Sequence, residues 1–135
     1  MALTAARTVD HYPDQELRTF KVAASTTIYK GAFVGLASGY ARGLVAGDTF
    51  VGLAYEGKNN ASGAAGAKQV RCYTLGDFEH TLTGAAVTDI GAAVYASDDG
   101  TLTLTSTDNS FVGYMVGLPS ANTIILRLAG FGTSA

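Results

Sequence analysis

Few side chains in this sequence could act as nucleophiles, bases or metal ligands. The 135 residues contain one cysteine, Cys72, and two histidines, His11 and His80. A zinc site draws its Cys, His or carboxylate ligands from a cluster, and the sequence offers no such cluster. A single cysteine also excludes a disulfide within the chain. We therefore predict that the protein holds neither a metal nor a cofactor.

The strand context of Cys72 and His80 favours structural roles for both. Cys72 shares a strand face with Val70, a position typical of a small buried side chain. His80 lies on the same face as Phe78 and Leu82, so we interpret it as a core or interface histidine rather than a base or ligand. A catalytic thiol would need a base beside it, which the sequence does not indicate.

The carboxylates form no catalytic pattern either. Asp77 and Glu79 share a strand face, which could suggest an acid–base pair, but exposed strand faces carry such pairs routinely. Asp98 and Asp99 are explained by a hairpin turn over Ser97–Gly100. The sequence also lacks a phosphate-binding loop and a His-Glu-x-x-His pattern. We therefore predict that the protein is not an enzyme.

The composition favours contact with other proteins over contact with nucleic acid. Charged residues make up 15% of the chain, against about 25% in an ordinary soluble domain. A neutral surface of small residues docks easily, because few charges must lose their water. We favour burial in an assembly over a merely neutral free surface. The net charge is −2 and the basic residues are scattered, which excludes the clustered basic face that nucleic-acid binding requires.

No segment suggests a membrane or an export route. The sequence contains no run of the roughly 18 apolar residues that a transmembrane helix needs. The N-terminal stretch lacks the apolar core of a signal peptide. We expect the protein to remain in the cytoplasm, or in a particle assembled there.

Glycine spacing decides the fold class. Between Gly31 and Gly57 a glycine recurs every four or five residues, and each interior glycine costs a helix about 1 kcal/mol relative to alanine. Abundant threonine and alternating apolar residues favour β-strands instead. The apolar sets that we predict to share a face are Val51, Leu53 and Tyr55; Phe78, His80 and Leu82; Leu102 and Leu104; and Ile124, Leu126 and Leu128.

The chain contains an internal repeat. Gly31–Gly39 resembles Gly91–Gly100, and each of these segments ends in a predicted turn. A Phe-Val-Gly triplet begins eleven residues after each turn glycine, at Phe50–Gly52 and Phe111–Gly113. Each copy then closes with a strand-like stretch that ends in glycine. A chance resemblance between glycine-rich strands is the alternative explanation.

A genuine repeat predicts two four-strand units, near residues 26–76 and 85–130, packed as one pseudo-symmetric β-barrel or sandwich. The copies differ in their third connection, which is a long polar loop at residues 57–66 in copy one. We expect this loop to be either a mobile tip or a segment ordered by a partner. It contains a glycosylation sequon, Asn60-Ala61-Ser62, although nothing indicates secretion.

The N-terminus differs from the rest of the chain. Residues 1–17 show no clean alternation, and Pro13 interrupts them, so we predict an arm outside a domain that spans residues 18–135. A disordered tail is the alternative. Against it, the arm carries spaced apolar anchors at Leu3, Val9, Tyr12 and Leu17.

Four stretches carry a resemblance to a known family. Thr27–Val34, Gly39–Ala41, Gly47–Ala54 and Thr88–Ala96 resemble the cement, or head-decoration, proteins of tailed bacteriophages. The resemblance covers about residues 20–130 and rests on glycine and turn patterns. It implies a small β-rich, β-tulip-like protein that binds the outside of an icosahedral capsid. Such a protein joins neighbouring capsid subunits and stabilises the expanded shell.

We therefore expect an all-β, single-domain barrel or sandwich with an internal pseudo-repeat and an extended N-terminal arm. The expected partners are the major capsid protein and further copies of the chain, with a trimer favoured over a dimer, and neither nucleic acid nor membrane. The expected location is the outer capsid surface of the virion, after assembly in the host cytoplasm. The expected capsid contacts are Leu3, Arg7, Val9, Tyr12 and Leu17.

A second function remains open at this point. A β-barrel module on a virion could instead bind carbohydrate or another part of the host surface. Such modules usually expose an aromatic platform, and this chain has no tryptophan. Most of its tyrosines and phenylalanines lie in strand patterns, so we favour the cement function.

Overall fold

A computed structural model describes residue 2, residues 4–6 and residues 16–129 of the chain. Within these residues the protein is all-β, with one short 3₁₀ helix at Val87–Asp89. The strands are β1 (Leu17–Lys21), β2 (Thr26–Ile28), β3 (Phe33–Ala37), β4 (Tyr40–Gly43), β5 (Thr49–Ala54), β6 (Lys58–Asn60), β7 (Gln69–Tyr73), β8 (Asp77–Thr81), β9 (Ala93–Ala96), β10 (Leu102–Thr103), β11 (Ser110–Ser120) and β12 (Thr123–Leu128).

The strands form three sheets, with antiparallel pairing between neighbouring strands. Sheet one has the order β1-β7-β5-β3-β4, sheet two has the order β8-β12-β11-β9-β10, and sheet three is the β2-β6 pair. The described residues contain no closed barrel, so the sandwich is the correct one of the two expected architectures. A single parallel bridge between Val22 and Ala41 brings the two edges of sheet one together.

The strand order confirms the internal repeat. Reading each large sheet from its first strand, β1, β7, β5, β3 and β4 correspond one by one to β8, β12, β11, β9 and β10. We call Leu17–Tyr73 unit one and Asp77–Leu128 unit two. Each unit has five strands in its large sheet rather than the expected four, because β1 and β8 precede the predicted starts at residues 26 and 85.

The Phe-Val-Gly triplets make the same β-bulge in both units. The pairing of β3 with β5 shifts by one residue at Val51, and the pairing of β9 with β11 shifts at Val112. The residue after each bulge must be glycine, because the neighbouring strand lies too close to leave room for a Cβ. A Cβ on Gly52 would overlap the carbonyl oxygen of Tyr73, and a Cβ on Gly113 would overlap that of Arg127.

The bulge explains one wrong prediction of a shared strand face. Val51 and Leu53 pack into different cores, because the extra residue between the paired strands reverses the alternation. Tyr55 lies beyond the end of β5. A second wrong prediction is Leu104, which is 37% exposed because β10 ends at Thr103.

The other two predicted faces are confirmed. Ile124, Leu126 and Leu128 are buried side by side on β12. Phe78 and His80 of β8 lie on the face that packs inward, and Leu82, just after the strand, continues that face. The intervening Glu79 and Thr81 are exposed.

Sheet one buries side chains on both of its faces. One face and the strand β2 enclose core one, formed by Val22, Ile28, Ala32, Val34, Ala41, Val51, Ala54, Val70 and Cys72. The opposite face packs against sheet two. This contact forms core two, to which sheet one contributes Phe33 and Phe50 and sheet two contributes Val94, Ala96, Leu102, Val112, Met115, Ile124, Leu126 and Leu128.

We expect Gly52→Ala and Gly113→Ala each to lower the free energy of unfolding by about 2 kcal/mol, because the added methyl group meets backbone rather than a movable side chain. Urea denaturation followed by circular dichroism measures this change. Gly100→Ala is the control, since its nearest neighbour lies 4.0 Å from the added Cβ, and it should change stability by no more than about 0.5 kcal/mol. Equal effects at Gly52 and Gly100 would contradict the proposed role of the bulge glycine.

Candidate interaction surface

Only one of the five expected capsid contacts lies among the described residues. Leu17 begins β1, is half-buried and pairs with Tyr73 of β7. Leu3, Arg7, Val9 and Tyr12 lie outside the described residues. The division into an arm and a domain therefore stays a prediction, with Leu17 placed at the start of sheet one.

Cys72 and His80 have the structural roles that we predicted. Cys72 is buried in core one, and burial raises the pKa of its thiol to about 12, so the thiol stays protonated at neutral pH. The ring of His80 stacks against Phe33 at a centroid distance of 5.0 Å. Its Nδ1 lies 3.1 Å from the carbonyl oxygen of Thr81. Cys72 therefore lies within a core, and His80 packs its ring against one.

The carboxylates also serve the fold. Asp77 forms a two-point ion pair with Arg127, whose Nε lies 2.9 Å from Oδ1, and this bond lowers the pKa of the carboxyl group. Asp98 accepts hydrogen bonds from the Gly100 N–H at 2.8 Å and from Oγ1 of Thr101 at 3.1 Å, as expected for a hairpin turn. The described part of the chain contains no cluster of three or more metal-ligating side chains.

The long loop of unit one is held by its own chain. Its first residues form β6, which pairs with β2. The side-chain amide of the buried Asn60 donates to the carbonyl oxygens of Ala23 and Ala64, at 2.9 and 3.1 Å. Part of the segment that we predict to be a mobile tip or to be ordered by a partner is thus a paired strand with hydrogen bonds to its own chain. The burial of Asn60 also removes the sequon from the accessible surface.

One groove on unit one is lined by aromatic rings. Tyr55 and Tyr73 meet edge to face at 5.3 Å, and Tyr73 lies 5.1 Å from Phe78 of unit two. Glu56 and Arg71 lie in the same groove, whose volume is about 520 Å³. We call it the tyrosine groove. It presents ring surface and charged groups together.

Arg71 and Glu56 form the ion pair that organises this groove. Glu56 accepts bonds from the Arg71 backbone N–H, Nε and Nη2, at 3.1, 3.0 and 3.1 Å. The guanidinium group of Arg71 lies over the Tyr55 ring, 4.9 Å from its centroid. The bonds from Arg71, with a smaller contribution from Lys58, lower the pKa of Glu56 to about 2.

The outer face of sheet two carries three aromatic side chains in contact. Phe111 lies 5.8 Å from Tyr95 and 5.3 Å from Tyr114, measured between ring centroids. Tyr114 is 37% exposed, and the neighbouring Val116 is 38% exposed. We call Tyr95, Phe111 and Tyr114 the aromatic face. An exposed group of contiguous rings is typical of a protein-contact surface.

The internal repeat relates the aromatic face to a buried face of unit one. Phe50 and Leu53 of unit one correspond to Phe111 and Tyr114 of unit two, since both pairs flank the bulge glycine. In unit one these side chains pack against sheet two. The same face of unit two is left open. Sequence reasoning missed the aromatic face. Aligning the two Phe-Val-Gly triplets pairs Phe111 and Tyr114 with Phe50 and Leu53, but only the packing shows which pair is open.

The fold and its open aromatic face are typical of a small all-β protein that works by contact with other proteins. A family model described as Phage cement protein matches residues 12–128, most of the chain, and the chain belongs to that family. No curated protein and no solved structure matches the chain in the other two comparisons.

Family membership implies a non-enzymatic structural protein that is located on the virion capsid and stabilises it. This agrees with the resemblance found in the sequence. The part of the chain that the structure describes contains no helix that could serve as a transmembrane span.

We expect the protein to lose stability as the pH falls from about 4.5 towards 2. The pKa of Glu56 is about 2 in the folded chain and 4.5 ordinarily. The ion pair with Arg71 therefore stabilises the fold above pH 4.5, and this contribution is lost as the carboxylate is protonated. The lowered pKa of Asp48, caused mainly by its bonds to Arg42, acts in the same direction.

Urea denaturation at pH 7, 4.5 and 3 measures this dependence. Glu56→Gln should flatten it, because the variant has no charge to lose. Glu79→Gln is the control, since Glu79 is exposed on β8 and forms no ion pair with the described residues. A Glu56→Gln profile as steep as that of the parent chain would refute the assignment.

Proposed function

We propose that this protein binds the outer surface of a phage capsid and stabilises the shell by bridging major capsid protein subunits. We further propose that it acts as a homo-oligomer, with a trimer favoured over a dimer. The match of the phage cement family to residues 12–128 is the observation that carries the proposal. A bridging protein needs at least two contact surfaces, and the chain offers more than one candidate.

The aromatic face supports contact with a further protein subunit. Tyr95 and Phe111 are half-buried and Tyr114 is exposed, so a partner can cover apolar ring surface at little cost in desolvated charge. The corresponding face of unit one already buries Phe33 and Phe50 against a sheet. The fold thus contains one packed example of the contact that we propose for the open face.

The N-terminal segment is the second candidate surface. We propose that Leu3, Arg7, Val9, Tyr12 and Leu17 contact the capsid, as their spacing suggests. Ordering such a segment costs roughly 1–2 kcal/mol of backbone entropy per residue. Contacts repeated across a shell can offset that cost, and local opening of the shell would then require the segment to peel away.

The tyrosine groove favours one alternative function. Tyr55, Tyr73 and Phe78 beside Glu56 and Arg71 combine ring faces with polar groups, a combination that suits a sugar ring on the host surface. A glycan array probed with the purified protein tests this alternative. Binding that Tyr55→Ala abolishes would favour a carbohydrate-binding module, whereas an array without signal would leave the cement function as the better explanation.

We expect deletion of residues 2–15 to leave the two large sheets folded while weakening attachment to capsids by about tenfold or more. The deletion keeps Glu16, whose carbonyl oxygen accepts a hydrogen bond from the Thr74 N–H at 2.8 Å. Co-sedimentation with expanded empty capsids of the parent phage measures the affinity. Light scattering measures the oligomeric state.

The circular dichroism spectrum of the truncated protein is the control for folding. Unchanged capsid affinity with an unchanged spectrum would show that the sheets alone carry the binding. A parent chain that stays monomeric at high micromolar concentration and fails to bind capsids would contradict the proposed function itself.

A further inference from the structure

The two units differ in how the edges of their large sheets meet. In unit one, the chain leaving β1 closes the gap to β4. Val22 bridges Ala41, and the N–H of Ala23 donates to the carbonyl oxygen of Ala41 at 2.9 Å. Val22 and Ala41 are both fully buried. An extended backbone segment therefore fills this gap with one hydrogen bond and one apolar side chain.

The corresponding gap in unit two lies between β8 and β10. Val22 corresponds to Leu82, because their N–H groups donate to Lys68 and Asn122 at equivalent positions, both at 2.9 Å. The counterpart of Ala41 is Leu102, since these residues pair with Leu36 and Ala96 at matching positions of β3 and β9.

In unit two this gap is open. A groove of about 450 Å³ lies between residues 81–84 and residues 100–105, and we call it the edge groove. The chain turns away at its rim, since the Ala85 N–H donates to the Leu82 carbonyl oxygen at 3.3 Å and Gly84 has a φ of +81°. This turn replaces the segment that closes the gap in unit one.

The edge groove presents backbone groups that lack partners. The Ser97 N–H donates to the Thr101 carbonyl oxygen, so these two residues are a hydrogen-bonded pair of the antiparallel ladder. The next pair, Ala96 and Leu102, is therefore of the non-hydrogen-bonded type, and the backbone N–H and C=O groups of Leu102 point away from β9. Its counterpart Ala41 points its carbonyl oxygen outward in the same way and receives the bond from Ala23. Within the described residues, neither the Leu102 carbonyl oxygen nor the Thr83 N–H has a hydrogen-bond partner. Open strand edges of this kind are templates for a further strand.

The residues that line the edge groove indicate the kind of segment that it binds. None of the residues that line it is charged, and five are threonines. Leu82 and Leu102 are buried at its base, and Leu104 is 37% exposed at its side. This lining suits an extended, uncharged segment that pairs through its backbone and places an apolar side chain on the leucines.

We infer that the edge groove receives an extended segment of a capsid subunit, which adds a strand between β8 and β10. A second copy of the chain is a poorer source. Its described strands already lie in sheets, and its N-terminal residues carry the charges of Arg7, Asp10 and Asp14, which an uncharged groove does not favour. The inference rests on the proposed function and adds to it a docking site on unit two. It is independent of the N-terminal segment.

Thr83→Pro is the first test, because it removes the unpaired N–H. Thr83 precedes the positive-φ Gly84 in a four-residue turn with the type II pattern, and proline is favoured at that position. The variant should therefore fold, and its affinity for expanded empty capsids of the parent phage should fall about tenfold. Thr83→Ala keeps the N–H and should bind within about twofold of the parent chain.

Leu104→Arg is a second variant that does not depend on the turn. It places a charge at the side of the edge groove and should also weaken capsid binding about tenfold. Val87→Arg is its control, because Val87 is 66% exposed and does not line the groove. Hydrogen exchange on the bound parent chain should show added protection at residues 81–84 and 100–105.

Three outcomes separate this inference from the proposed function. Loss of affinity in Thr83→Pro and Leu104→Arg, with both controls unaffected and both segments protected, supports the inference. A parent chain that binds capsids while both variants bind equally well overturns the inference and leaves the proposed function intact. A parent chain that binds no capsids overturns both.

Discussion

Burial of both faces of sheet one is the constraint on which the rest of the structure depends. A strand in a two-sided sheet must send apolar side chains in both directions, and β5 does so with Val51 towards core one and Leu53 towards core two. The bulge at the Phe-Val-Gly triplet makes this possible, because it reverses the alternation within one strand. Gly52 then lets β7 approach closely enough to complete the sheet.

Sheet two repeats the same backbone with only one covered face. Its bulge, its glycine and its strand order match those of sheet one. It therefore still presents on its outer side the ring-bearing positions that sheet one buries, now occupied by Phe111 and Tyr114. The edge strands of sheet two, β8 and β10, also stay apart, whereas the chain after β1 bridges to β4 in sheet one. A duplicated unit that covers its twin, without being covered in turn, has surfaces left for other proteins.

Seven of the charged side chains that the structure describes pair with one another. Arg42 pairs with Asp48 at 2.7 Å, and the Asp48 side chain is only 9% exposed. The other two-point pairs join Arg71 to Glu56 and Arg127 to Asp77. The pair between Arg127 and Asp77 is exposed on both sides, and pairs of that kind contribute little to stability. Because charged residues make up only 15% of the chain, few charges must be desolvated when another protein covers the surface.

The sequence by itself determined the β class, the two copies, the turns at Ser38-Gly39 and Ser97–Gly100, and the inward face of β12. These features are local, because glycine position and period-two alternation act within one strand or one turn. It also carried the family resemblance that the comparison confirmed. Its alternation rule failed at Val51 and Leu53, since a bulge depends on the register of the neighbouring strand.

Only the tertiary structure decided the sandwich over the barrel, and the open face and edges of unit two. Phe50 and Phe111 occupy the same position in their copies, and nothing local distinguishes them. Which one is buried depends on which sheet lies across it, a contact between distant parts of the chain. The edge groove has the same origin. Leu102 occupies the register position of Ala41, but the gap beside it stays open because the chain after β8 turns away at Gly84. Burial is a property of the packed molecule, so it could not be read from either copy alone.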